Sequence, residues 1–174
     1  VTFGGTLDGG QKLVVNSTGV TTFTGAVGSQ TALTSLTTDA GGEVNINGGS
    51  VTTTADQVYN DPLKMTGNTT LKGSSVKFNA AATGTGALIV DGPATIKGGT
   101  VTTTGAQTYK GAVTLESDTV LSSTSGGDLW HNFQPYDITT TGCKIGAGTV
   151  TVSKPFSVLG VVSVFWTSRF ISAT

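Results

Sequence analysis

The side chains in this sequence that could do chemistry are few. The single histidine, His131, lies near Asp128 and Asp137, and with one of the many serines it has the makings of a nucleophilic triad. No Gly-x-Ser-x-Gly elbow accompanies it, so His131 reads as a hydrogen-bonded residue beside Trp130. Zinc needs three or four ligands, and His131 and Cys143 are the only imidazole and thiol. Cys143 therefore reads as a small buried apolar residue, and no metal or cofactor site is expected. The carboxylates are Asp8, Asp39, Glu43, Asp56, Asp61, Asp91, Glu116, Asp118, Asp128 and Asp137. None belongs to a glycine-rich calcium-binding nonapeptide. Asp91 and Glu116 are 25 residues apart. If one coil of a stacked fold took that length, the two would sit about 5 Å apart, a separation suited to a retaining glycosidase.

That pair depends on the elements that would carry it. Cut every 25 residues from Val1, the first 125 residues fall into five gapless rows. The first column is Val1, Ala26, Val51, Val76, Val101, and the twenty-first is Thr21, Ile46, Leu71, Ile96, Leu121. Between them four rows carry an apolar pair: Leu13 with Val15, Leu63 with Met65, Leu88 with Val90, Val113 with Leu115. A fixed period of this size marks a repeat architecture whose units bury their apolar faces only by stacking. Short apolar–polar alternations punctuated by Gly, Asn and Asp are strand-and-turn chemistry, and Thr, Val and Gly are poor helix formers. The expectation is an all-β parallel β-solenoid, a right-handed β-helix of about 25 residues per coil. Overlaid on it is a spacing of 50: Gly48-Gly49, Val51 to Thr54, Gln57 and Tyr59 recur as Gly98-Gly99, Val101 to Thr104, Gln107 and Tyr109.

In this scheme Asp91 and Glu116 share a column with Asn16, Gly41 and Thr66, which reads more simply as a polar corner. A catalytic groove would add aromatic and arginine side chains that this face lacks, so the chain is not expected to be an enzyme. The 26 glycines among 174 residues suit a fold that turns at every corner. Charged residues are 11% of the chain and the net charge is −1. With eight scattered lysines and Arg169 there is no basic stripe to neutralise phosphates, so nucleic acid is excluded as a partner. A start at Val1 without a leader pattern suggests a mature form or a fragment.

The phrases GGSVTTTADQVYND and GGTVTTTGAQTYKGAVTLESDTVL resemble the repeats of large secreted bacterial adhesins of the filamentous-haemagglutinin and autotransporter-passenger type. The resemblance covers residues 1–125. It implies a right-handed parallel β-solenoid displayed at the cell surface as a stalk, adhesive shaft or matrix fibre, and it carries over no catalytic residues.

After Ser125 the register degrades, which divides the chain into a five-coil repeat region, 1–125, and a divergent segment, 126–174. The tail around Phe156, Val158, Val161, Val164, Phe165, Trp166 and Phe170 is apolar and rich in β-branched residues. Its uninterrupted apolar run is too short for a transmembrane helix. It suits either a cap over the core or an end strand that docks on the next subunit near Val1 and Phe3 by β-augmentation. The latter would make the chain its own partner in an end-to-end fibre.

Stacked outward threonines raise a rival expectation, an ice-binding surface. In rows of 25 the outward positions Thr52, Thr54, Lys77, Asn79, Thr102 and Thr104 line up, so Lys77 and Asn79 interrupt the threonines at every second coil. The expectation is thus a non-enzymatic extracellular structural or adhesive β-solenoid. Its exposed polar ladder would meet glycans or cell surfaces, with ice binding as the alternative and a polysaccharide-degrading β-helix behind both.

Overall fold

The computed structural model describes residues 1–125 throughout and, beyond them, the backbone of strands at 129–131, 143–145 and 149–152. Every regular element among these residues is a β-strand. In chain order they are β1 (Thr2–Phe3), β2 (Lys12–Val15), β3 (Val20–Phe23), β4 (Ser35–Thr38), β5 (Glu43–Ile46), β6 (Ser50–Thr52), β7 (Asp56–Tyr59), β8 (Leu63–Met65), β9 (Thr69–Lys72) and β10 (Ser75–Phe78). There follow β11 (Ala82–Gly84), β12 (Leu88–Asp91), β13 (Ala94–Ile96), β14 (Thr100–Thr103), β15 (Gln107–Tyr109), β16 (Val113–Leu115), β17 (Thr119–Ser123), β18 (Leu129–His131), β19 (Cys143–Ile145) and β20 (Thr149–Val152).

The strands stack into three sheets, one per face of a β-solenoid of about six turns. The first face runs β1-β3-β5-β8-β11-β14-β17-β20. The second runs β6-β9-β12-β15-β18-β19 and is prolonged toward the N-terminus by bridges joining Val51 to Val27 and Val27 to Leu7. The third runs β2-β4-β7-β10-β13-β16. Pairing is parallel from β1 to β18; β20 then pairs with β17, and β19 with β18, in antiparallel sense. At the other end β1 and β2 are sheet edges.

The coil is shorter than the repeat in the sequence. Leu63 pairs with Ala82 and Ala82 with Val101, 19 residues apart each time; the first coils are longer, as Leu13 pairs with Leu36. The reason lies in the strand-plus-corner unit of about six residues. Three units close a coil, whereas the 25-residue row spans four, so each row advances by one coil and one further face. Leu63–Met65, Leu88–Asp91 and Val113–Leu115 are successive members of one sequence column, yet they lie on the first, second and third faces. Residues that match at 25 keep the same inward or outward sense, because each occupies the same place in its own strand.

Inward columns make a core along the axis. On the first face Thr21, Val44, Leu63, Ala82, Val101 and Leu121 are stacked, beside Phe3, Phe23, Ile46 and Met65, with Phe3 and Phe23 face to face at 5.0 Å. Leu71 and Val90 fill the second face, and Leu36, Val76, Phe78 and Ile96 the third. At about 1.5–3 kcal/mol per fully buried aliphatic side chain, one coil gains only a few kcal/mol before backbone ordering is charged against it. Stacking is therefore the source of stability.

Candidate functional site

The first face carries two outward columns made mostly of Thr, Ser and Asn, whereas the aligned column on the third face mixes Val14, Thr37, Val58, Lys77, Thr95 and Thr114. Cα pairing aligns Thr2, Thr22, Asn45, Lys64, Thr83, Thr102 and Ser122. One outward position further along each strand, backbone hydrogen bonds from Thr24, Asn47, Thr66, Thr85, Thr104 and Thr124 to the preceding coil continue the ladder. Six successive coils thus present Thr22 with Thr24, Asn45 with Asn47, Lys64 with Thr66, Thr83 with Thr85, Thr102 with Thr104, and Ser122 with Thr124. Strand spacing sets neighbours about 4.8 Å apart along the axis, and two residues of rise set the columns about 6.7 Å apart.

Several of these side chains are held by their neighbours. Thr66 Oγ1 donates to Asn47 Oδ1 at 2.9 Å, and Thr85 Oγ1 accepts from Gly67 N at 3.0 Å. Lys64, the only charged group in either column, is paired with Glu43 at 2.6 Å. Every aromatic ring of residues 1–125 is at least partly buried: Phe23, Phe78, Tyr59 and Tyr109 lie in the core, and Phe3 packs against it. The face is therefore uncharged in sum, rich in hydroxyls and free of aromatic platforms.

A glycine column runs along the edge of this face. Gly25, Gly48, Gly67, Gly86 and Gly105 each follow the outer column's Thr or Asn at the corner into the second face. A Cβ on Gly86 would lie 2.3 Å from the Gly67 carbonyl carbon, and one on Gly48 would lie 2.1 Å from that of Gly25. At Gly25, Gly48, Gly86 and Gly105 backbone meets backbone, so no side chain fits; at Gly67 the space is open but φ is +96°.

The 50-residue echo is a corner, not a coil. In its first copy Gln57 reaches back across the corner between the second and third faces. Its Nε2 donates to Val51 O at 3.0 Å and Lys72 O at 2.8 Å, and its Oε1 accepts from Tyr59 OH at 2.9 Å. In the second copy Gln107 makes the same contacts with Val101 O, Ser122 O and Tyr109 OH, at the corner between the first and second faces. Burial pushes both tyrosine hydroxyls far above their ordinary range, so they stay protonated donors.

The expected polar ladder is dispersed by this geometry. Thr52 is on the second face with Thr54 at its corner, Lys77 is on the third with Asn79 at its end, and Thr102 with Thr104 is on the first. Only the last two belong to the aligned columns. Asp91 and Glu116 are likewise apart: Asp91, on the second face, stands opposite Lys72 and 3.4 Å from Lys110, while Glu116 follows β16 on the third. The carboxylate pair of a glycosidase does not form. Among the described residues Asp39 accepts from Ser17 N and Asp61 from Gly42 N, both across neighbouring coils. Asp8 accepts from Gln30 N and Thr31 N, which holds its carboxyl below the usual range, and the Ser75 hydroxyl does the same for Asp56.

Val1 and Phe3 border the open N-terminal edge, where the Val1 ammonium donates to Val20 O at 2.7 Å. His131 and Cys143 are backbone partners across β18 and β19. Phe156, Val158, Val161, Val164, Phe165, Trp166 and Phe170 lie outside the described residues. Among the described residues no three His, Cys, Asp or Glu gather as metal ligands, and no helix is long and apolar enough to cross a membrane. No family model, curated protein or solved structure matches the chain.

Proposed function

We propose that this chain is a non-enzymatic, extracellular structural and adhesive β-solenoid, a stiff shaft whose first face is its recognition surface. The observation that carries the reading is the aligned run of paired outward positions on that face, continuous from β3 to β17 and made of Thr, Ser and Asn except at Lys64. Continuous backbone ladders along the axis resist bending and leave few open segments for proteases. A regular hydroxyl and amide surface contacts a flat, uncharged partner by many weak bonds at once.

The test is adhesion of the purified chain to insoluble surfaces, ice and crystalline polysaccharides among them, with T83Y/T85Y on the first face against T114Y on the third. The reading expects retention that the first pair abolishes and T114Y leaves intact. Retention on no surface, or equal loss in both variants, contradicts it.

End-to-end assembly is a second reading, in which half-buried Phe3, Leu7 and Leu13 beside the end strands β1 and β2 would be covered by the next subunit. Imaging the full chain beside a version ending at Lys154 decides it: filaments lost on truncation support the joint, and short rods from both sink it.

A further inference from the structure

We infer that the partner of the first face is crystalline water, and that the chain adsorbs to ice through the paired columns from Thr22–Thr24 to Ser122–Thr124. This rests on the first face being the recognition surface and adds what it recognises.

Three features of that face favour a water lattice. The first is its mesh. Positions repeat about 4.8 Å along the axis and about 6.7 Å across it, and the same two spacings recur over six coils, so the face is a two-dimensional net that only a periodic partner can match throughout. The second is the side chain. Threonine offers a hydroxyl that both donates and accepts, as water does, beside a methyl group that fills the space between neighbours. Its branched β-carbon restricts χ1, so a threonine array is already ordered before it binds and little entropy is lost on contact. The third is charge. Lys64 is paired at 2.6 Å with Glu43, so the face carries no net charge there with which to steer a charged mineral or anionic glycan.

Neutral polysaccharide is the main competitor for such a surface. Sugar rings are commonly held against aromatic side chains, and the first face has no outward aromatic residue among those described. Thr83 and Thr85, at the centre of the columns, are exposed.

Partitioning of the full-length chain into slowly growing polycrystalline ice tests the inference, with inhibition of ice recrystallisation as a second readout. The native chain is expected to be enriched in the ice. T83Y/T85Y should lose about tenfold or more of that enrichment, equivalent to about 1.4 kcal/mol of binding free energy, and T114Y should match the native chain. The fold of each variant is checked by its far-ultraviolet circular dichroism; T85K, at one exposed position, replaces the double variant if that does not fold. Exclusion of the native chain from ice overturns the inference. If crystalline cellulose or chitin then retains it through Thr83 and Thr85, the face is still a recognition surface and its partner is carbohydrate. If nothing retains it, the recognition reading fails as well. Equal loss in T83Y/T85Y and T114Y also overturns the assignment to this face.

Discussion

Buried Gln107 and Tyr109 show how a polar pair can be fixed inside a thin core. Gln107 satisfies two backbone carbonyls on adjacent coils while Tyr109 satisfies its remaining oxygen, so no buried polar atom of the side chain lacks a partner. Tyr109→Phe removes the donor to Gln107 Oε1 and should cost about 1–3 kcal/mol in urea denaturation; Tyr59→Phe should cost a similar amount at its own corner. Both hydroxyls ionise less readily when folded than at the ordinary value of 10.0. The unfolded chain therefore sheds these protons first. Stability from this source is whole below about pH 10 and falls as pH rises above it. The native chain should lose melting temperature through that window, and Y59F/Y109F should lose less. An unchanged slope would remove the tyrosines as the cause.

At the scale of the element, the decisive feature is the glycine corner between the first and second faces. Gly86→Ala should destabilise by about 1–3 kcal/mol, because its Cβ would meet the Gly67 backbone at 2.3 Å and the coil spacing would have to open. Gly10→Ala, where a Cβ meets nothing within 4 Å, should stay within about 0.5 kcal/mol. Thermal denaturation of the two variants makes the comparison. These same glycines explain what was legible in the sequence. Alternation told inward from outward correctly at Val51, Val76, Leu88 and Val101, because that pattern belongs to the single strand. It could not say how many strands make a coil, since four units match each other as well as three do. The missing signal was the corner dipeptide, Asn47-Gly48, Thr66-Gly67, Thr85-Gly86 and Thr104-Gly105, recurring every 19 residues. Those glycines stack directly on one another, whereas the apolar columns only share a depth. The longer first coils, and an outer residue that is Asn in one coil and Thr in the others, hid that spacing near the N-terminus. The interruption of the threonines by Lys77 and Asn79 follows from the same substitution of four strands for three; in the true columns those two are absent and Asn45, Asn47 and Lys64 are the departures from Thr and Ser.

For the whole molecule, a coil of three strands means that the solenoid can be shortened by one turn without changing which face any later residue occupies. Deleting residues 67–85, so that Thr66 joins Gly86, should leave a cooperatively melting β-solenoid with the first face still aligned. Deleting residues 67–91 keeps inward positions inward but turns every later strand onto the neighbouring face. Gly105 then leaves the glycine column, and Thr102 and Thr104 leave the array. The second deletion should melt at lower temperature than the first and lose first-face adhesion; circular dichroism and a surface pull-down read both. The central claim, that the outward columns of the first face are adjacent in space, is tested most directly by cross-linking in a Cys143→Ser background. Thr83 and Thr102 are ladder partners about 4.8 Å apart, within the reach of a disulfide. Lys77 is aligned instead with Val58 and Thr95 on the third face. Oxidation should therefore close an intramolecular disulfide in T83C/T102C and leave K77C/T102C as free thiols, as read by thiol titration and mass spectrometry. A disulfide in K77C/T102C with none in T83C/T102C would restore the 25-residue coil and contradict the account.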